Sequence, residues 1–190
     1  MFANSLEELI AKDQISGRIK LYAHAVDRRK WDLLDHVFHD DGRWRMSAFD
    51  GPWREARDTV ARIFEQALAM TFHQVSNISI SLNGAEAFAE TYCVGYHRVR
   101  ADAPPGGLFG GTGEDYDLIA ALRYIDRFEL RASGWGITSR TGISEWRSYQ
   151  PVSEGTALAS APDRGQWGDA DRSAVLFGGR GMPDPLSSGA

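Results

Sequence analysis

The fold turns on HQVSNISISLNGAEAFAETY, residues 73–92. Within it Ile78, Ile80 and Leu82 alternate with polar neighbours, the period of two expected of a strand with one buried face. Asn83-Gly84 then supplies the dipeptide that tight hairpin turns favour, because both turn positions need positive φ. Ala85 to Arg100 therefore returns as a long antiparallel strand. The segment Ala103 to Gly113 holds two prolines and five glycines in eleven residues and reads as a loop. Two further strands follow, Leu118 to Arg131 and Trp135 to Tyr149, joined by a turn at Ser133-Gly134.

On the N-terminal side the period changes. Leu6 to Val26 reads as an amphipathic helix, with Leu6, Leu9 and Ile10 followed by Ile15, Ile19, Tyr22 and Val26 at steps of three and four. At about 100° per residue the last four fall within about 60° of one another, forming one buried stripe. Asp27 lies at the edge of that stripe and His24 points to the opposite side. A second short helix is expected over Trp31 to Phe38, with Leu34, Val37 and Phe38 inward. Asp40-Asp41-Gly42 is a turn signal. Arg43 to Phe49 reads as a short strand on which Trp44 and Met46 share a face, broken by Gly51-Pro52. A third helix covers Glu55 to Met70, with Val60, Ile63, Phe64 and Ala67 apolar.

Helices first and a strand meander afterwards define an α+β domain, with the helices packed on one face of a strongly curved, mainly antiparallel sheet. Such packing leaves a cavity between sheet and helices, open at one end. The domain is expected to span residues 1–150. Residues 151–190 read as an irregular tail, rich in Gly, Ser, Ala, Asp and Pro, with Trp167, Val175, Leu176 and Phe177 as its anchors.

Composition narrows the function. A net charge of −5 gives no electrostatic basis for binding nucleic acid or an anionic membrane. No run approaches the roughly 20 apolar residues that a spanning helix needs, and the polar, acidic start MFANSLEELIAKDQ lacks a signal core, so the expected compartment is the cytoplasm. Cys93 is the only cysteine, which excludes an internal disulfide or a cysteine-rich zinc site; within its strand it reads as core. His24, His36 and His39 read as solvated and form no metal ligand set. Gly110-Gly111-Thr112-Gly113 lacks the strand–loop–helix context of a phosphate cradle. The 6 Trp, 6 Tyr and 9 Phe suit either a packed core or a pocket for flat apolar ligands.

Three stretches carry a resemblance. YAHAVDRRKWDLLDHVFHDD, HQVSNISISLNGAEAFAETY and RYIDRFELRASGWGITSRTGISEW resemble the first two helices, the central hairpin and the closing strands of SnoaL-like proteins, within the nuclear-transport-factor-2-like superfamily. Asp169 to Ser173 faintly resembles their Arg/Asp-rich ending. The resemblance implies a cone-shaped α+β barrel. It also implies a range of activities: scytalone and bile-acid dehydratases, a lindane dehydrochlorinase, ketosteroid isomerase and polyketide cyclases. Metal-free small subunits of ring-hydroxylating dioxygenases belong to the same superfamily.

In the dehydratase and dehydrochlorinase branches an Asp ending the first helix orients a His opening the central hairpin. The matching residues here are Asp27 and His73. Tyr22, five residues before that Asp, matches a catalytic tyrosine. An Asp holding one ring nitrogen fixes the His tautomer and stabilises the imidazolium formed when the other takes a proton. A tyrosine can donate to a leaving oxygen. Each has a plain alternative: a helix-end Asp, a structural His, a core Tyr. GYHRVR resembles a segment of scytalone dehydratase, but that enzyme's second catalytic histidine would fall at Ala103.

These residues imply a lyase without metal or cofactor, acting by dehydratase-type elimination on a small apolar cyclic or aromatic alcohol. Trp44, Met46, Phe64 and Tyr96 are expected as cavity walls. Arg140 is expected either to bind a substrate carboxylate or carbonyl or to form a surface ion pair. A proton-shifting isomerase or polyketide-type cyclase would use nearly the same groups. A non-catalytic dioxygenase small subunit or small-molecule binding protein would leave the cavity passive. A homo-oligomer, dimer or trimer, is expected through the exposed sheet face.

Overall fold

In the computed structural model residues 3–46, 49–153, 157–160 and 164–174 are described. Helix α1 spans Leu6–Asp27. It begins where the Ser5 side chain accepts the Glu8 N–H at 3.2 Å and Glu8 in turn accepts the Asn4 N–H at 2.7 Å, satisfying donors that a helix start leaves open. Ile15, Ile19, Tyr22 and Val26 form its buried stripe. A 3₁₀ turn, Trp31–His36, replaces the expected second helix, and Phe38 belongs to the strand that follows.

Six strands form one curved, unclosed sheet in the order β2-β1-β6-β5-β4-β3. They are β1 (Phe38–Met46), β2 (Phe49–Pro52), β3 (Leu68–Asn83), β4 (Glu86–Val99), β5 (Tyr116–Arg131) and β6 (Gly134–Pro151). All neighbours are antiparallel except β1 and β6. Helix α2, Trp53–Ala67, lies between β2 and β3.

Three local expectations are corrected. Asp40-Asp41-Gly42 does not turn the chain: β1 runs through it, and its register against β6 slips between Phe38 and Arg43. The slip is held by a close approach, since a Cβ on Gly42 would lie 2.9 Å from the carbonyl oxygens of His39 and Ile137. Gly51-Pro52 does not end the sheet but pairs as β2 with β1. Helix α2 stops at Ala67 because Leu68 already pairs with Val99, so β3 begins five residues before His73.

Bulges set which side chains face inward. Asn77, at φ 47, sits where the β3–β4 register slips between Ser76 and Ser79. The extra residue turns His73 and Val75, and then Ile78, Ile80 and Leu82, to the same inner face. The concave face and the two helices enclose the core around Trp44, Trp53, Phe128 and Ile137.

His39 is buried rather than solvated, with Nε2 2.9 Å from the Glu129 carbonyl oxygen. Gly136 leaves room for its ring: a Cβ there would lie 2.9 Å away. His36 is exposed, as expected. Cys93 is buried, and burial pushes its thiol up to about 11.

The tail is irregular but docks onto the end of α1. Asp171 pairs with Arg28 at 3.3 Å, Asp169 pairs with Lys30, and the Gly168 N–H donates to the Arg28 carbonyl at 2.6 Å. Trp167 anchors it under the Arg29 guanidinium, 3.4 Å from the ring centroid. Val175, Leu176 and Phe177 lie outside the described residues. Among the described residues no helix is long and apolar enough to cross a membrane.

Candidate active site

Asp27 is the last residue of α1, where the helix dipole disfavours a negative charge. Donors from β3 offset that. His73 donates its backbone N–H to Asp27 Oδ2 at 2.7 Å and its ring Nδ1 lies 2.6 Å from Oδ1, while Thr71 Oγ1 stands 3.5 Å from Oδ1. An ionised carboxylate only accepts, so Nδ1 carries a proton, and in the neutral ring the lone pair is on Nε2. Both side chains are shielded from bulk solvent, 9% and 7% exposed, yet His73 lines a cavity.

That cavity has a volume of about 860 Å³ and is open at one end. Trp44, Met46 and Phe64, expected as walls, line it together with Tyr22 and Tyr124. Leu108 and Phe109 of the Pro/Gly-rich loop also line it. Tyr22 meets Trp44 and Tyr124 edge-on, each with ring centroids 5.5 Å apart. Burial, opposed by the charge of Arg140, pushes the Tyr22 hydroxyl up to about 12, so it keeps its proton and can donate.

Two expected substrate contacts lie elsewhere. Tyr96 pairs with Phe72 across β3 and β4, and both rings point to the convex face, 6.3 Å apart; strand alternation turns Tyr96 away once its neighbour His97 faces in. Arg140 is fully buried and pairs two-pronged with Asp126, both bonds 2.7 Å. Its guanidinium lies over the Tyr22 and Tyr124 rings, 4.0 and 4.4 Å from their centroids. Burial would push it down, but the Asp126 charge and hydrogen bonds prevail and hold it above its ordinary value. Arg140 is thus neither a surface ion pair nor a cavity wall; it braces the aromatic floor from behind.

The residue missed by sequence reasoning is His97. It is buried on the inner face, its ring edge-on to His73 with centroids 5.4 Å apart and packed against Phe109 at 4.9 Å. Gly95 creates that space, because a Cβ there would lie 2.7 Å from His97 Cε1 and 3.5 Å from His73 Cδ2. Burial first, and the neighbouring His73 charge second, push His97 down to about 3, so it stays neutral. The signal was its inward parity with Thr91 and Cys93 on β4. Among the described residues no cluster of His, Cys, Asp and Glu could hold a metal ion.

Fold and site together define an α+β cone with a buried Asp–His pair at the wall of an apolar cavity. The chain belongs to the SnoaL-like domain family, whose model matches residues 7–141, within the nuclear-transport-factor-2-like superfamily. Among solved structures it is similar to the hexachlorocyclohexane dehydrochlorinase LinA-type3 from Novosphingobium barchaimii, at 14% identity, covering 82% of this chain and 99% of that one, with a TM-score of 0.66. A scytalone dehydratase candidate from Novosphingobium aromaticivorans matches at 19% identity over 78% and 96% of the two chains, TM-score 0.61. A nuclear transport factor 2-like superfamily protein from Salmonella enterica matches at 13% identity over 80% and 99%, TM-score 0.59. At such identities the likeness shows the fold alone. No curated protein matches the sequence significantly.

Proposed function

We propose that this chain is a cofactor-independent lyase that eliminates water from a small apolar cyclic or aromatic alcohol. The observation that carries the reading is the His73 imidazole, held by Asp27 at 2.6 Å and lining an apolar cavity. His73 Nε2 takes a carbon-bound proton; the electron pair of that C–H bond becomes the new C=C bond as the neighbouring C–O bond breaks. Asp27 stabilises the imidazolium, which returns the proton to the departing hydroxyl, giving water and restoring neutral His73. Tyr22 donates a hydrogen bond to the leaving oxygen throughout. Relatives described as a dehydrochlorinase and a dehydratase candidate support elimination as the reaction class. An isomerase or cyclase would begin with the same abstraction, and product analysis separates them.

Removing the base in His73→Ala, or its support in Asp27→Ala, is expected to lower turnover of a cyclic alcohol substrate by about a hundred- to ten-thousandfold. Circular dichroism should show the fold retained. Near-normal turnover in both variants would sink this mechanism.

A second inference concerns assembly. The convex face of the sheet presents Phe72, Phe88, Tyr92 and Trp146, each more than two-fifths exposed. We infer that a second copy of this chain covers it. A passive subunit in a larger assembly would use that same face and leave the cavity without turnover.

A further inference from the structure

Charged side chains on the cavity lining are few, and all of one sign. Arg62 of α2 and Arg147 of β6 line it; among the described residues no Asp or Glu does, although the chain carries 26 of them. Both arginines line the cavity while remaining exposed, which puts them at its open end.

Neither placement is incidental. On α2, Thr59, Arg62, Ile63 and Gln66 line the cavity at the i, i+3, i+4, i+7 spacing of one helix face; Arg62 is at the solvent edge of that face, away from the buried stripe of Trp53, Ala56, Phe64 and Ala67. On β6 the register against β5 slips at Glu145: Leu122 pairs with Ser144, but Ala121 pairs with Trp146. Arg140, Gly142 and Ser144 hold the inner parity up to that point; without the bulge Arg147 would face outward. The extra residue turns it inward, opposite the cavity-lining Ala120.

Their lack of partners is equally distinctive. Every other arginine on a described helix or strand is engaged: Arg18 with the Trp135 carbonyl, and Arg43 and Arg45 with Asp50. Arg54 pairs with Asp35, Arg57 with Asp58, Arg98 with Asp117 and Arg123 with Glu90. Arg127 pairs with Glu86, Arg131 with Asp41 and Arg140 with Asp126. Among the arginines of these described elements, only the side chains of Arg62 and Arg147 form no hydrogen bond or ion pair with a described residue.

We propose that Arg62 and Arg147 form a carboxylate subsite at the mouth, so that the ligand is an amphipathic anion with its apolar ring system inward and its carboxylate between the two guanidiniums. This rests on the reading of the cavity as a binding site for flat apolar molecules. Guanidinium groups hold carboxylates through charge-assisted, often paired hydrogen bonds. With the anion fixed at the mouth, the opposite end of the ligand is directed toward His73.

Calorimetric titration with biphenyl-4-carboxylate and its neutral isostere biphenyl-4-carboxamide tests the subsite without needing the natural substrate. The carboxylate is expected to bind at least about tenfold more tightly, about 1.4 kcal/mol, and to weaken with added salt. In the Arg62→Gln/Arg147→Gln double variant the preference should vanish while amide affinity holds. Equal binding of the two probes to the parent protein, or a preference that survives in the variant, would overturn the subsite. Tighter binding of biphenyl-4-phosphonate than of the carboxylate would overturn the carboxylate assignment. If neither aryl probe binds, the apolar-ligand reading fails and the subsite with it.

Discussion

His97 and His73 lie edge to edge, and their surroundings drive them to different roles. His73 is tied to a carboxylate, whereas His97 has only the Leu118 carbonyl oxygen, 3.4 Å from its Nδ1. Held near 3 against an ordinary 6.5, His97 binds no proton in the folded chain between those pH values, while the unfolded chain does. Stability must therefore fall as pH drops through that window. In His97→Gln the fall in urea midpoint between pH 7 and pH 4.5 is expected to shrink; an unchanged fall would show that His97 does not carry the slope. The sequence made Asp27 and His73 legible because their order and spacing match a family pattern. Arg140 was not legible in the same way. Counting outward from the turn at Ser133-Gly134 puts Asp126 opposite Ser139, and only the slip between Arg127 and Phe128 brings Asp126 to Arg140. A single inserted residue, which no composition rule marks, separates a surface pair from a buried one.

At the scale of elements, the hairpin of β3 and β4 builds most of the site. Its existence was readable from the alternation and from Asn83-Gly84, but its inner face was not, because the bulge at Asn77 reverses parity midway along β3. The register sets Gly95 directly opposite His73 and two residues before His97, so both rings use the space that a side chain would fill. Gly95→Ala is accordingly expected to push the His97 ring against Phe109 and Phe64. Its cost is about 1–3 kcal/mol, typical of overpacking, accompanied by loss of turnover. Denaturant unfolding and a turnover assay on the same preparation check both; an unchanged midpoint would mean that the strand yields more readily than its two-sided pairing implies. The end of α2 was misjudged by three residues for a related reason. The apolar run through Met70 suits a helix or a strand equally, and pairing of Leu68 with Val99 decides it.

For the whole molecule, the sheet divides the aromatic residues between two uses that composition could not separate. The concave side takes Tyr22, Trp44, Phe64 and Tyr124 into the cavity lining. The convex side keeps Phe72, Phe88, Tyr92 and Trp146 in solvent at 52%, 51%, 44% and 52% exposure. Charges on that side are largely satisfied within it: Arg123 bridges Glu90 and Glu145, and Arg127 pairs with Glu86. Covering the face therefore desolvates aromatic surface without stranding a lone charge, the balance that stable interfaces need. A specific contact buries about 800 Å² per partner; the four rings, carried by β3, β4 and β6, span the width of the sheet from β3 to β6 and supply the apolar centre of such a contact. Light scattering at micromolar concentration is expected to report a mass above the 21.0 kDa monomer. Placing charges in the centre of the face, in Tyr92→Glu/Trp146→Glu, should return the mass to the monomer while the cavity still binds its aryl probe. A monomeric parent protein would leave the convex face to a different partner, and turnover by that monomer would argue against a purely assembling subunit.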